Sequence, residues 1–223
     1  MKQILLTALL LLATLTATAQ KTAADAFTTA PTGIFPLLDK NTRLDMVDYY
    51  NSGLATPSAN RLQGRSAITS LTPTSLTVKI TDSSSAQIAL LPVGRDTIIA
   101  VISTVATPGL DSTIKFYDSN WTPLPTDRHF TAPGWNDWLT PGHDITEITA
   151  HTPFMLASYF IATDAGTLTA TNNLATFLDE DTYKALTPAP RPTPPHKWNG
   201  QRLPKKPPPP PHPPHPPPPP PSP

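Results

Sequence analysis

Strand-like segments that follow one another at intervals of about ten residues are the feature that most constrains the fold of this chain. Residues 75–81 read SLTVKIT, in which apolar and polar side chains alternate. Three further segments follow, each after a cluster of turn residues: AQIALLP at 86–92, DTIIAVISTV at 96–105 and STIKFYD at 112–118. Such spacing is typical of an antiparallel meander. The segment 96–105 is apolar on both faces, which indicates a central, covered strand.

An amphipathic helix is predicted ahead of these strands, within residues 31–54. Pro36 lies near its expected start, and the Asn-Ser-Gly sequence at 51–53 marks its expected end. Apolar side chains that recur at helical spacing are expected to face the core: Leu44, Val47, Tyr50 and Leu54. The opposite face, expected to be solvated, carries Asn41, Asp45, Asp48 and Ser52.

The second half of the chain has a less regular pattern. Residues 121–153 are rich in proline, glycine and tryptophan and are expected to form a long ordered loop. A hairpin is predicted over the Asp-Ala-Gly turn at 164–166, followed by a short helix capped by Asp179 and a last strand within 196–203. The predicted fold class is therefore α+β and β-rich, with an antiparallel meander sheet, a packed N-terminal helix, a C-terminal hairpin and a disordered proline-rich tail.

The N-terminus reads as a signal peptide. A basic start is followed by a short apolar run and an Ala-x-Ala cleavage site before Gln20, and the run is too short to span a bilayer. We predict a signal peptide at 1–19, a single α+β domain at 20–203 and a proline-rich tail at 204–223. The protein is expected to be exported to the periplasm or the cell surface, with no membrane span. The chain has no cysteine, which excludes disulfides and thiolate chemistry.

Charge is distributed unevenly along the chain. Residues 20–183 carry nine basic and all sixteen acidic residues, whereas residues 184–223 carry six basic and no acidic residues. An acidic body argues against nucleic acid as a partner. The tail is expected to adopt polyproline II and act as a semi-rigid spacer. Such a rod suits an aromatic groove on a partner or an anionic surface, and it could also fold back onto the acidic body.

Several stretches together resemble a known family. NTRLDMVDYYNSG, NRLQG, LTPTSLTV, IALLP, DSTIKFYDSNW and KWNG are similar to segments of a secreted Bacteroidales family that is known as a domain of unknown function (DUF3256). The resemblance runs from about Pro31 to Leu203, and its most specific piece surrounds Arg43. It implies an exported, envelope-associated protein with no assigned activity, and it supplies no catalytic residues. The proline tail departs from the family pattern.

Two groups of histidine-containing positions have spacings that could suit a metal ion. His143, Glu147 and His151 are spaced by four, which would place them on one face of a helix. β-Branched neighbours and flanking prolines instead favour a strand or loop, where successive members lie about 13 Å apart, too far for one ion. His212 and His215 would share one side of a polyproline II rod, where a solvated spacer is the simpler interpretation. We therefore predict no metal and no cofactor.

Catalytic groups show no recognisable motif. Asp45 and Asp48 lie one helical turn apart and could divide acid and base roles, but a solvated helix face, with Arg43 and Lys40 balancing the charge, is the favoured interpretation. The sequence contains no nucleophile elbow, zinc-protease motif, phosphate loop or dinucleotide fingerprint.

Three tryptophans in the irregular region are the candidate binding residues: Trp121, Trp135 and Trp138. Aromatic side chains in loops stack on sugars or peptides when exposed, and they seal the edge of a core when buried. We expect an exported, non-catalytic domain that binds a protein or glycan component of the cell envelope. The alternatives are a hydrolase with a site in the 121–151 loops, where Asp137, His143 or Asp144 would converge, and a purely structural envelope protein.

Overall fold

The computed structural model describes residues 20–54, 56–106, 108–138, 145–152, 154–186 and 195–204. The predicted signal peptide and the proline tail from Lys205 onward lie outside the described residues.

Seven strands form one antiparallel sheet in sequence order. They are β1 (Ser58–Ala59), β2 (Arg65–Leu71), β3 (Ser75–Thr81), β4 (Ser84–Val93), β5 (Asp96–Ala106), β6 (Leu110–Tyr117) and β7 (Pro123–Leu124). Each strand pairs with its neighbours in the chain, so the predicted meander is confirmed. β4 and β5 are the longest strands and pair from Ser84↔Val105 to Val93↔Asp96.

A second, three-stranded antiparallel sheet contains the predicted hairpin. Its strands are β8 (Ala157–Ala162), β9 (Thr167–Asn172) and β10 (His196–Lys197), in the order β10-β9-β8. Gly166 takes a φ of 59° in the hairpin turn, a conformation that glycine adopts without strain. The predicted last strand is present, although only two residues of it pair with β9.

Six helices complete the described elements. They are α1 (Ala23–Thr29), α2 (Lys40–Asn51), α3 (Thr126–His129), α4 (Trp135–Trp138), α5 (Ile145–His151) and α6 (Glu180–Leu186), with a 3-10 turn at Leu174–Thr176. The Asp179 carboxylate accepts from the Thr182 amide at 2.9 Å, so the predicted cap of α6 is confirmed. The β-rich α+β fold class is confirmed as well. The region 121–153, expected to be a loop, instead contains β7 and three short helices.

Both faces of the seven-stranded sheet are covered. On one face, side chains such as Ile88 and Ile99 pack with Phe27 and Phe35 from the N-terminal segment. On the other, alternate side chains of the same strands pack with the three-stranded sheet and with Trp138. Successive side chains of a strand point to opposite faces, which explains why the middle of β4 (88–91) and of β5 (98–102) is apolar at every position.

Side chains of the large sheet cover the free edge of β8. The Gln87 amide donates to the Ile161 carbonyl at 2.8 Å and accepts from the Ile161 N–H at 3.0 Å. The Ser112 hydroxyl accepts from the Tyr159 N–H at 3.2 Å. Gln87 is buried, so these bonds satisfy backbone groups that would otherwise be buried without partners. The second sheet is thus fixed in position by polar contacts as well as by apolar packing.

The expected start of the N-terminal helix is wrong, and so are three of its four expected core positions, whereas Val47 is buried and the polar face is exposed as expected. The helix begins only at Lys40, because residues before Asp39 form turns and Asp39 caps the helix through the Thr42 amide at 2.9 Å. Leu44, Tyr50 and Leu54, expected in the core, are exposed by 42, 38 and 55%. The buried positions are Arg43, Met46 and Val47.

The contacts of Arg43 explain which side of α2 faces the core. Its guanidinium is 2% exposed and donates to the Phe27 carbonyl at 2.9 Å and to the Ala30 carbonyl at 2.8 Å. These carbonyls belong to the C-terminal end of α1, where helical carbonyls lack partners within the helix. The guanidinium also lies 5.9 and 5.8 Å from the ring centroids of Phe27 and Phe35. A charged residue, which a hydrophobicity pattern assigns to solvent, therefore joins α1 to α2.

Candidate binding groove

Two of the three candidate tryptophans are core residues. Trp138 is 1% exposed within the cluster that joins the two sheets, and Trp121 is 8% exposed at the opposite cluster. Trp135 is half-buried. Because Trp121 and Trp138 lie in clusters on different faces of the large sheet, the three rings do not form the common exposed surface that a stacking site requires. For these two side chains, sealing the edge of the core is the role that the burial supports.

Trp121 nevertheless occupies an unusual turn. Its φ is 67°, a left-handed conformation that is uncommon for a bulky residue. The Asp118 carboxylate holds the turn by accepting from the Asn120 and Thr122 amides, both at 2.8 Å. The ring packs against Tyr117 at 5.3 Å, and the Lys21 ammonium lies 5.8 Å from its centroid. These contacts tie the N-terminal segment to the end of β6.

Two of the three metal candidates spaced by four lie in a helix and not in the expected strand or loop. α5 includes Glu147 and His151, whereas His143 lies outside the described residues. The Thr149 hydroxyl donates to the Ile145 carbonyl at 2.9 Å, a backbone contact that accommodates a β-branched residue within the helix. His212 and His215 also lie outside the described residues. Among the residues that the structure does describe, no three potential ligands cluster to hold an ion.

The described candidate carboxylates lie on two different helices, α2 and α4. Asp45 and Asp48 are exposed on α2, as the solvated-face interpretation expects. The Asp137 carboxylate accepts from the Gly134 amide at 2.7 Å and so satisfies the backbone donor just before α4. Asp144 and His143 lie outside the described residues. The structure therefore describes no convergence of Asp137 with either of them, which the hydrolase alternative would need.

A groove of about 420 Å³ lies between α2 and β2, the second strand of the large sheet. Met46 and Ile68 are buried and form part of its lining, while Tyr50 and Leu54 are 38 and 55% exposed. Tyr49 completes the aromatic part of the lining. Leu54 follows Gly53, whose φ of 68° ends the helix and turns the chain back along the groove. Tyr50 at the end of α2 and Leu54 just after it thus face a concave surface.

The strand beside this groove has a partly open edge. β1 pairs with β2 only at Ser66 and Arg65, although β2 continues to Leu71. The Asn60 amide donates to the Gly64 carbonyl at 2.9 Å, so the backbone groups of Gly64 point toward the β1 side. Because every second residue of a strand points its backbone groups to the same side, those of Ser66 and Ile68 point there too. Within the described part of the chain, no strand pairs with β2 on that side beyond Ser66.

A second groove, of about 740 Å³, joins the first at Ala67, which lines both. Its lining includes three charged residues, Arg65, Lys79 and Asp82. Lys79 pairs with Asp82 at 2.7 Å, whereas Arg65 is exposed and makes no ion pair among the described residues. The surface along the β2 edge therefore passes from apolar walls to an unpaired positive charge.

Sequence reasoning missed this groove for two reasons. β2 (RSAITSL) was not expected as a strand, because its serines and threonines obscure the period-two pattern. The exposed side of α2 was assigned to the core, because its leucine and tyrosine residues follow helical spacing. The usable signal was Arg43, a charge placed between apolar residues on the helix.

No described helix is long and apolar enough to cross a membrane. Among curated proteins, no sequence matches this chain. A solved structure of a domain of an uncharacterized protein from Porphyromonas gingivalis W83 is similar, with a TM-score of 0.68 and 21% sequence identity. The similarity covers 82% of this chain and 96% of that chain, and at this identity it shows the fold alone. A family described as "Protein of unknown function (DUF3256)" matches residues 14–203, and the chain therefore belongs to this family.

Proposed function

We propose that this protein is an exported, non-catalytic domain that binds an extended segment of another cell-envelope protein in the groove between α2 and β2. Export rests on the signal-like sequence at 1–19, which ends in an Ala-x-Ala site. The observation that carries the binding proposal is the groove itself, in which Tyr50 and Leu54 stand exposed beside the open edge of β2.

An extended protein segment fits this surface in two ways. Backbone groups of Ile68 on the open edge can pair with a strand, which is how sheet edges recruit peptides. Apolar side chains of the segment would enter the groove beside Met46 and Leu54. A glycan would stack on the tyrosines but would not pair with the backbone of the open edge. A protein segment uses both features, so it fits this surface better.

Charge specifies the segment further. Arg65 precedes Ile68 by three residues on β2, a separation of roughly 10 Å along a strand. Because Arg65 is exposed and makes no ion pair among the described residues, an acidic side chain on the partner would gain a salt bridge there. The expected segment carries apolar residues with an acidic residue two to four positions away.

Site-specific photo-crosslinking in the producing cell tests this proposal. A photoreactive residue replaces Leu54 in the groove or, as a control of similar exposure, Leu110 at the start of β6. We expect a discrete adduct from position 54 alone, sensitive to protease and resistant to muramidase. An adduct that muramidase removes would identify a glycan partner, and equal labelling from both positions would refute a groove-specific partner.

A further inference from the structure

A third groove, of about 470 Å³, lies beside the place where the described chain ends. Ile114 of β6, Phe130, Ala132 and Tyr159 of β8 are among its lining residues. The Phe130 and Tyr159 rings meet edge to face at 5.2 Å, so the groove has an aromatic wall. Phe130 is buried and fixes this wall, while Ala132 is exposed at the rim.

The backbone leads the C-terminal tail toward this groove. Leu203 is fully buried and forms a parallel bridge with Phe130. The Leu203 amide donates to the His129 carbonyl at 2.7 Å, which fixes the direction of the last described residues. Because the bridge is parallel, the chain after Leu203 runs in the same direction as Thr131 and Ala132, which both line the groove. The first residues beyond Pro204 are therefore within reach of it.

The tail has the chemistry that an aromatic groove accepts. Residues 207–211 are consecutive prolines, which favour polyproline II and lose little conformational entropy on binding. Proline-rich segments bind where aromatic rings contact the pyrrolidine faces and hydroxyl or N–H groups donate to the free carbonyls. Burial, with a further contribution from Asp111, raises the pKa of Tyr159, so its hydroxyl stays protonated and can donate.

Charge favours the same occupant. Asp127 is the charged residue among the described residues that line the groove, and it is exposed. Lys205 and Lys206 lie near the start of the tail, immediately before the run of prolines at 207–211. Residues 20–183, which contain the groove, carry nine basic and sixteen acidic residues, so the wider field also attracts a basic segment.

We propose that the tail of this chain docks onto its own domain, with Lys205 and Lys206 near Asp127 and the prolines at 207–211 in the groove beside Phe130 and Tyr159. The remaining residues, up to Pro223, extend beyond the groove. This proposal does not depend on the function proposed for the α2–β2 groove, which involves other residues.

Paramagnetic broadening in the full chain tests the docking. The chain has no cysteine, so His212→Cys provides a single attachment site for a nitroxide just beyond the docked prolines. We expect strong broadening of the Thr131 and Ala132 amides and little at Tyr50 and Ala67 in the other groove. Absence of this preference would overturn the proposal.

Matched substitutions locate the contact. Ala132→Arg places a bulky, basic side chain at the rim and should remove the broadening, while Ala59→Arg, equally exposed on β1, should leave it unchanged. Replacing Lys205 and Lys206 with glutamate should weaken it. Persistent broadening in the Ala132→Arg variant would refute this groove as the site. In a mixture of spin-labelled chains with isotope-labelled chains that lack the nitroxide, we expect no broadening, because the tail docks within its own chain. Broadening in this mixture would mean that the tail binds a second copy.

Discussion

Replacing Arg43 with methionine should destabilise the protein strongly, although the substitution removes a charge from the interior. Arg43 donates two charge-assisted hydrogen bonds to the carbonyls of Phe27 and Ala30, at 2.9 and 2.8 Å. Such bonds contribute about 1.5–3 kcal/mol each, and methionine offers these carbonyls no donor. The gain from not burying a charge offsets part of this loss. We expect a net decrease of about 3 kcal/mol in the free energy of unfolding.

Urea unfolding followed by circular dichroism measures this decrease. For a domain of this size, about 3 kcal/mol corresponds to a fall in Tm of roughly 6–12 °C. Arg43→Lys keeps the charge but loses the planar fork that reaches both carbonyls, so its effect should be smaller and still clear. Arg95→Met, at an exposed turn, is the control and should change stability by no more than about 0.5 kcal/mol. If Arg43→Met behaves like the control, the buried guanidinium does not join α1 to α2.

Three further predictions concern the core, the contact between the sheets and the N-terminus. Val47→Asp should lower the free energy of unfolding by several kcal/mol because it buries an unpaired charge, while Asp48→Asn on the exposed face should lower it little. Urea unfolding of both variants measures this, and a larger effect of Asp48→Asn would contradict the assigned faces. Gln87→Glu should be destabilising at pH 7, because a carboxylate then faces the Ile161 carbonyl. Burial would raise the pKa of the new carboxyl, so its deficit should shrink as the pH falls through that pKa; a deficit that does not change with pH would contradict this. Mass spectrometry of protein from the producing cell should give Gln20 as the first residue, and retention of Met1 would refute cleavage at this site.

Strands with strict alternation or long apolar runs were predictable from the sequence. β3 to β6 and the β8–β9 hairpin combine period-two patterns with turn residues, and local chemistry suffices to identify them. β2 buries Ser66 and Ile68 at alternate positions, but its serines and threonines obscure this alternation in the sequence. α1 is marked by a capping box, in which Thr22 and Asp25 bond each other's backbone, but seven residues provide little periodicity.

The binding surfaces were less predictable because they depend on tertiary contacts. The buried Arg43 lies on the core face of α2, which leaves Tyr50 exposed, and its bonds to the end of α1 do not appear in any local pattern. Trp121 and Trp138 suggested a binding loop by their composition, yet the fold places both in the core. A tryptophan in an irregular segment carries no sequence signal that separates these outcomes.

Selection of peptides on the purified protein is the most direct test of binding in the α2–β2 groove. A displayed library of random seven-residue peptides should yield sequences with apolar residues and an acidic residue two to four positions away. Their affinity, measured by calorimetry, should fall by at least about tenfold for Tyr50→Glu, a difference of about 1.4 kcal/mol, and stay unchanged for Val105→Glu, which is exposed on β5. Peptides that bind Tyr50→Glu as tightly as the unmodified protein would contradict the proposal that this groove receives a partner segment.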